Sequence, residues 1–299
     1  MNQKYHEYLS PSIIKKIDNI SLRAKLVVEG FIIGLHKSPY HGFSVEFSEH
    51  RPYGFGDEIR HIDWKLLAKT DKLYIKQFEE ETNLKSYIIL DKSASMDFSS
   101  KNNISKFEYS KTLTASLSYL MIRQQDSVGL TTFDDRINKS ISPKSKVSHL
   151  NNLLNVLHVS KVGGETEISP ILHSLAESIK KRGLIILVSD LLDSPDEVIK
   201  GLRHFRYRGH EVIIFHILDS NEIDFDFSEM INFIDSESSE SIKTDPRHIR
   251  LDYIKAVSNF CKTYRHECNK NNIDYIQVNT SDSLDKSLIE YLIKRSKLI

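Results

Sequence analysis

Asp91, Ser93 and Ser95 stand in an Asp-x-Ser-x-Ser pattern directly behind the apolar run Tyr87-Ile88-Ile89-Leu90. A short, unbroken apolar run is how a strand buried on both faces of a parallel sheet reads. The pattern therefore delivers one carboxylate and two hydroxyls at the carboxyl end of a central strand, the edge where open α/β sheets bind ligands. Two later segments offer matching groups. Gly163-Gly164-Glu165-Thr166-Glu167-Ile168 is a glycine-containing loop before a helix and carries the Thr166 hydroxyl. Leu184-Ile185-Ile186-Leu187-Val188-Ser189-Asp190 is a second buried strand that ends in a carboxylate.

Taken alone, Asp91-x-Ser93-x-Ser95 also fits a turn in which Asp and Ser cap the next element. The metal reading rests on Thr166 and Asp190 falling at the same sheet edge. All five residues are hard oxygen donors, a set suited to Mg²⁺ or Mn²⁺ rather than to zinc or copper, which favour nitrogen and sulfur. Two carboxylates and three hydroxyls leave such an ion underneutralised with a replaceable position. An acidic side chain from a partner fits that position.

From Ser86 onward strands alternate with helices, the pattern of an α/β domain with a mostly parallel sheet flanked by helices. Strands are expected at Tyr87–Leu90, Val128–Phe133, Ile137–Ile141, Leu184–Ser189, Val212–Leu218 and Tyr275–Val278. Helices are expected at Lys106–Arg123, Val147–Leu157, Ser169–Lys181, Pro195–Arg208, Arg250–Asn271 and Leu284–Lys294. The acidic, serine-rich stretch 221–245 interrupts the rhythm and reads as an inserted hairpin or loop, with an alternating piece at Met230–Ile234. Residues 1–85 read as a small β-containing region and 86–299 as the α/β domain. Within the small region, Ser10-Pro11-Ser12 starts a short helix. Ser21–Leu35 fits helix or strand equally, and Phe43–Phe47 and Leu73–Phe78 read as strands. Tyr53 and Trp64 are expected to pack the small region against the large domain, with Arg60 and Asp63 paired at the seam. A partner-docking loop over Gly56–Trp64 is the less favoured alternative.

Lysine plus arginine number 41 and aspartate plus glutamate also 41, so no basic excess is available to track a phosphate backbone and no nucleic acid is expected. Met1–Asn19 lacks the apolar core of a secretory signal, and Leu26–Leu35 is about half the ~20 residues a spanning helix needs and contains Glu29. No membrane insertion is expected. Cys261 and Cys268 are the only 2 cysteines. On a helix they stand roughly 10 Å apart, too far for a disulfide, and the expected compartment is the cytoplasm.

Asp91, Ser93, Ser95, Thr166 and Asp190 resemble, in order and type, the metal-ion-dependent adhesion site of the von Willebrand factor type A fold. The resemblance implies that the serines and often the threonine touch the metal while the aspartates act largely through water. Ser189-Asp190-Leu191 stands where many relatives have Thr-Asp-Gly. Upstream, Arg51, Tyr53, Gly56-Asp57, Arg60 and Ile62-Asp63-Trp64 resemble the bacterial family called "domain of unknown function 58". Members often carry two membrane helices at the start, which this sequence does not show. The resemblance implies a non-enzymatic, metal-dependent protein-interaction module, an adaptor or co-chaperone of a MoxR-type AAA+ ATPase.

No phosphate-cradling Gly-x-x-x-x-Gly-Lys-Ser/Thr loop and no Gly-x-Ser-x-Gly elbow occurs, so the chain is not expected to be an enzyme. The alternative is a Mg²⁺-dependent phosphohydrolase with Asp91 as nucleophile and Asp190 and Asp193 as metal ligands. Such an enzyme needs an acid two residues after the nucleophile, and Ser93 is too weak an acid for that task.

Overall fold

The structure is a computed structural model and describes residues 17, 19–35, 50–54, 64–70, 72–76, 84–100, 103–164, 167–227, 230–234 and 241–295. The chain divides into a unit of residues 34–83 and a larger unit made of 84–299 together with the residues up to 33. The expected boundary near 85 lies beside this division, but the helix before residue 33 is grouped with the larger unit.

That helix, α1 (Ile20–Leu35), resolves the ambiguity of its sequence. Ile20, Ala24, Val27 and Val28 are buried, and the spacing of four, three and one is that of a helical stripe. Arg23 on α1 donates to Glu108 at 3.0 Å, a partly buried ion pair within the larger unit. In the smaller unit, β1 (His50–Pro52) pairs antiparallel with β2 (Tyr74–Lys76). The Tyr53 amide extends the ladder by donating to the Leu73 carbonyl at 3.0 Å. Between the strands lies α2 (Trp64–Thr70), a helix that the sequence does not announce. Trp64 is 59% exposed. The helix expected from Ser10, the strand Phe43–Phe47, Arg60 and Asp63 lie outside the described residues.

The larger unit is built on six strands: β3 (Lys85–Asp91), β4 (Ser127–Phe133), β5 (Ile137–Lys144), β6 (Leu184–Ser189), β7 (Glu211–Leu218) and β10 (Asp274–Asn279). They lie in the order β10-β7-β6-β3-β4-β5, all parallel except β5, which turns back antiparallel on β4. Central β6 is buried throughout and β3 nearly so, as their apolar runs require. Edge strand β5 is mostly exposed.

Helices cover both faces. They are α3 (Lys106–Arg123), α4 (Val147–Val159), α5 (Ile168–Ser178), α6 (Pro195–Tyr207), the short α7 (Ser220–Asp224), α8 (Pro246–Lys270) and α9 (Leu284–Arg295). One core cluster joins Ile89, Ile185, Leu187, Val212 and Ile214 of the sheet to Leu172, Leu202, Phe205 and Tyr264 of α5, α6 and α8. α3 is buried almost all round despite its serines and threonines. Thr112, Ser116 and Ser118 turn their hydroxyls onto carbonyls four residues back at 2.8–2.9 Å, which lets a polar side chain enter an apolar layer.

In the stretch after β7, β8 (Ile231–Ile234) pairs antiparallel with β9 (Ser241–Thr244). Phe225 packs against Phe227, Phe233 and Tyr253, seating the hairpin on α8.

The connections explain where a site can form. From β3 the chain runs outward through α3 to β4 and β5, then crosses back to β6 and continues the other way to β7 and β10. The direction of winding therefore reverses between β3 and β6. At such a switch point the two following loops part and leave a crevice at the carboxyl ends. Asp91 ends β3 and Asp190 follows β6.

Candidate metal centre

Asp91 is fully buried, and both its carboxylate oxygens accept hydrogen bonds. The Ser93 amide donates to Oδ1 at 2.9 Å and the Ser189 hydroxyl to Oδ2 at 2.6 Å. The first bond closes the tight turn out of β3. The second ties the β3 end to the β6 end across the switch point. The Ser93 and Ser95 hydroxyls lie 3.1 Å apart, Ser95 being on a single turn of 3₁₀ helix, Ala94–Asp97. Ser93 is fully buried and Ser95 nearly so.

Thr166 lies outside the described residues, and the described residues on either side of it are hydrogen bonded. The Gly163 amide donates to the Lys92 carbonyl at 3.0 Å, and the Gly164 carbonyl accepts from the Ala94 amide at 3.1 Å. Beyond the loop, the Ile168 amide donates to Asp193 at 3.1 Å. Gly164 has φ +83° and a Cβ there would meet Asp134 at 3.1 Å, so glycine is required for this close approach.

Asp190 is buried and is met by a cation that the sequence motifs do not include. Lys106, the first residue of α3, has no exposed surface. Its Nζ donates to Asp190 Oδ2 at 2.7 Å and to Glu222 Oε1 at 2.6 Å. Glu222 stands on α7, where it also accepts from the Asp219 amide at 2.8 Å in a reciprocal cap of that short helix. The Phe98 ring lies 5.9 Å from the amine. A lysine at a helix N-terminus opposes the helix dipole, and that misfit is the one signal the sequence offers. Here the two carboxylates offset it. Burial works to lower the Lys106 pKa, but Asp190 and Glu222 outweigh it and the net shift is upward.

Leu191 takes φ +55°, the left-handed conformation that the Thr-Asp-Gly of many relatives would supply with glycine. The loop keeps that turn with a fully buried leucine, held by a 3.1 Å hydrogen bond from the Tyr264 hydroxyl to the Leu191 carbonyl. His216 on β7, also buried, has its pKa lowered to about 4, chiefly by burial.

The electrostatics of the pair are lopsided. Burial first, and then the nearby Asp190 charge, push the Asp91 carboxyl up to about 7, against the hydrogen bonds from Ser189 and Ser93. Asp190 has an ammonium beside it, whereas the charges and hydrogen bonds around Asp91 leave it short of positive charge. Two carboxylates and two neighbouring hydroxyls at one crevice fit a hard divalent cation. The charges sum the same way: Asp91, Asp190 and Glu222 against Lys106 leave two negative charges. Among the described residues no cluster of three or more His, Cys, Asp or Glu side chains forms a metal site.

A family model described as "Protein of unknown function DUF58" matches residues 49–262, well over half of the chain. The chain belongs to that family. Uncharacterised proteins of Mycobacterium bovis and Mycobacterium tuberculosis are 22% identical over 253 residues, which is 83% of this chain and 78% of theirs. Among solved structures, an aerotolerance-related membrane protein of Bacteroides fragilis is similar at 19% identity with a TM-score of 0.47. It covers 71% of this chain and 99% of that one. A BatB protein of Bacteroides thetaiotaomicron is similar at 17% identity and TM-score 0.43, covering 72% and 99%. The VWA domain of SpRpn10 is similar at 13% identity and TM-score 0.41, covering 70% and 94%. This DUF58 protein has an α/β fold with a six-stranded, mostly parallel sheet flanked by helices. Among its described residues no helix is long and apolar enough to cross a membrane. Its two cysteines, both on α8, are buried and free.

Proposed function

We propose that this DUF58 protein is a non-enzymatic, metal-dependent protein-interaction module, an adaptor or co-chaperone for a MoxR-type AAA+ ATPase. The observation that carries the reading is the buried Asp91–Asp190 pair beside the Ser93 and Ser95 hydroxyls, at the switch point of the sheet, with Asp91 raised to about 7 by burial and by the Asp190 charge. Ser93 and Ser95 are suited to touch the metal directly, with Asp91 and Asp190 acting through water and Thr166 adding a third hydroxyl. Bound Mg²⁺ or Mn²⁺ supplies a coordination position for a carboxylate of the partner. Asp91 orients the Ser93 turn, Ser189 holds Asp91, and Gly163 and Gly164 are hydrogen bonded to Lys92 and Ala94 of that turn. The buried free thiols of Cys261 and Cys268 support a reducing workplace, the cytoplasm.

A phosphohydrolase reading gains nothing from the geometry. A nucleophilic carboxylate must reach its phosphate, and Asp91 has no exposed surface and both oxygens engaged. The test is co-precipitation of the ATPase with the purified chain. Capture in Mg²⁺ is expected, with loss in EDTA and loss in Asp91→Ala, whose far-UV spectrum stays that of the wild type. Capture by Asp91→Ala in EDTA at the wild-type level overturns the reading.

A further inference from the structure

Among the described residues, Lys106 is the buried cation at this crevice that the metal reading does not use. Burial of an ammonium is costly unless it is paired, and a lysine on a solvated surface would serve α3 as well. Here the side chain runs inward and ends between two carboxylates from different parts of the sheet edge, Asp190 at 2.7 Å and Glu222 at 2.6 Å. Asp190 is thereby neutralised by a charge belonging to the chain itself. Lys106 is also attached to a rigid, almost fully buried helix, so it stays close by when it releases Asp190.

We propose that Lys106 is a resident counter-ion of the metal site, competing with a divalent cation for Asp190, and that Glu222 sets the outcome by holding the lysine. The proposal rests on the metal reading of the Asp91–Asp190 crevice. It is a matter of charge and distance. With Lys106 between them, Asp190 and Glu222 together contribute one net negative charge to the crevice; without it they contribute two. Without Glu222 the ammonium leans on Asp190 alone and repels an incoming cation without relief. Lys106 is thus a positioning residue, which lets the crevice stay folded when empty at the expense of affinity when filled.

The experiment titrates the full chain with Mn²⁺ alone, read by electron paramagnetic resonance of the free ion and by calorimetry, with Mg²⁺ as competitor. One unit of charge removed from or added to the site shifts cation affinity on the order of tenfold. Lys106→Met is therefore expected to bind Mn²⁺ roughly tenfold tighter, and Glu222→Gln roughly tenfold weaker, on the same charge estimate. Lys106→Arg, which keeps the charge, stays near the wild type. A merely structural lysine would leave affinity unchanged, or lower it in Lys106→Met. Because Mn²⁺ replaces the missing charge, it also raises the melting temperature of Lys106→Met more than that of the wild type.

Equal or weaker binding by Lys106→Met overturns the proposal while the metal site stands. Should that variant not fold, Glu222→Gln decides: weaker binding supports the proposal and unchanged binding overturns it. No Mn²⁺ binding by the wild type, Lys106→Met and Glu222→Gln overturns the metal reading itself, and the role of Lys106 falls with it.

Discussion

Asp91 and Asp134 are the same residue type at the same edge of the same sheet, one ending β3 and the other following its parallel neighbour β4, yet their environments oppose. Asp134 has Lys92 at 2.7 Å and Asn138 at 3.0 and 3.1 Å. Burial works to raise its pKa, and the hydrogen bonds from Lys92 first, then those with Asp135 and Asn138, more than offset that and hold it at about 2. Asp91 has hydroxyl and amide donors but no ammonium, and burial with the neighbouring Asp190 drives it to about 7. One carboxylate is a finished structural contact. The other is left short of a charge, the state expected of a group kept for a ligand.

The sharpest way to break this contrast is to neutralise each carboxylate in chelator at pH 8. Asp134→Asn should destabilise the chain by about 2 kcal/mol, since it removes a favourable ionised form and leaves Lys92 without its partner. Asp91→Asn should stabilise the metal-free chain by a similar amount, about 2 kcal/mol, because it removes a repelled charge. Urea midpoints at constant slope measure both. If both substitutions destabilise equally, Asp91 is a structural carboxylate like its neighbour.

The pH dependence has a definite sign. Asp91 has a folded pKa near 7 against an ordinary value of 3.8. Between those values the folded chain holds a proton that the unfolded chain has released. The stability due to Asp91 is therefore full below pH ~4 and lost as pH rises through 7. His216 works the other way. Its folded pKa is about 4 against 6.5, so its contribution falls as pH drops from 6.5 to 4. The two slopes oppose each other in the metal-free wild type. In Asp91→Asn the opposing Asp91 slope is gone, and stability should climb more steeply than in the wild type as pH rises from 4 to 6.5. A variant whose pH profile runs parallel to the wild type from pH 4 to 8 contradicts the shift on Asp91.

How much of the molecule is legible in its sequence depends on how local each signal is. Ile88–Leu90 and Leu184–Val188 announce central strands because a strand buried on both faces has no polar positions to alternate. Asp91 and Asp190 are found because they sit directly behind those runs. Lys106 reads only as the start of a helix, since its partner Asp190 lies 84 residues away and nothing local marks the pair. The Ser189 hydroxyl is silent for the same reason, its acceptor being 98 residues back. α2 stays hidden because seven residues give no periodicity to read, and its first residue, Trp64, suggests burial by type while the fold leaves it exposed. α1 is ambiguous because its apolar residues lie too densely for period 3.6 to separate from period 2.

A finer version of the contrast between the two carboxylates lies in the backbone at this sheet edge. Gly164, against Asp134, takes a left-handed conformation at no steric cost, whereas Leu191, next to Asp190, takes one with a side chain. A left-handed non-glycine residue costs roughly 1–2 kcal/mol, so Leu191→Gly gains that much. It also gives up a fully buried leucine that belongs to the cluster of α5, α6 and α8, worth roughly 1.5–3 kcal/mol before any cavity is counted. Packing wins, and Leu191→Gly should lose about 1 kcal/mol by urea melts while leaving Mn²⁺ affinity within about twofold. The reason is that the backbone turn is one that glycine adopts freely, so Asp190 stays where it is. A stabilised Leu191→Gly would mean that the strain exceeds the packing and that the Asp190 side of the crevice, like the Asp91 side, holds unfavourable energy.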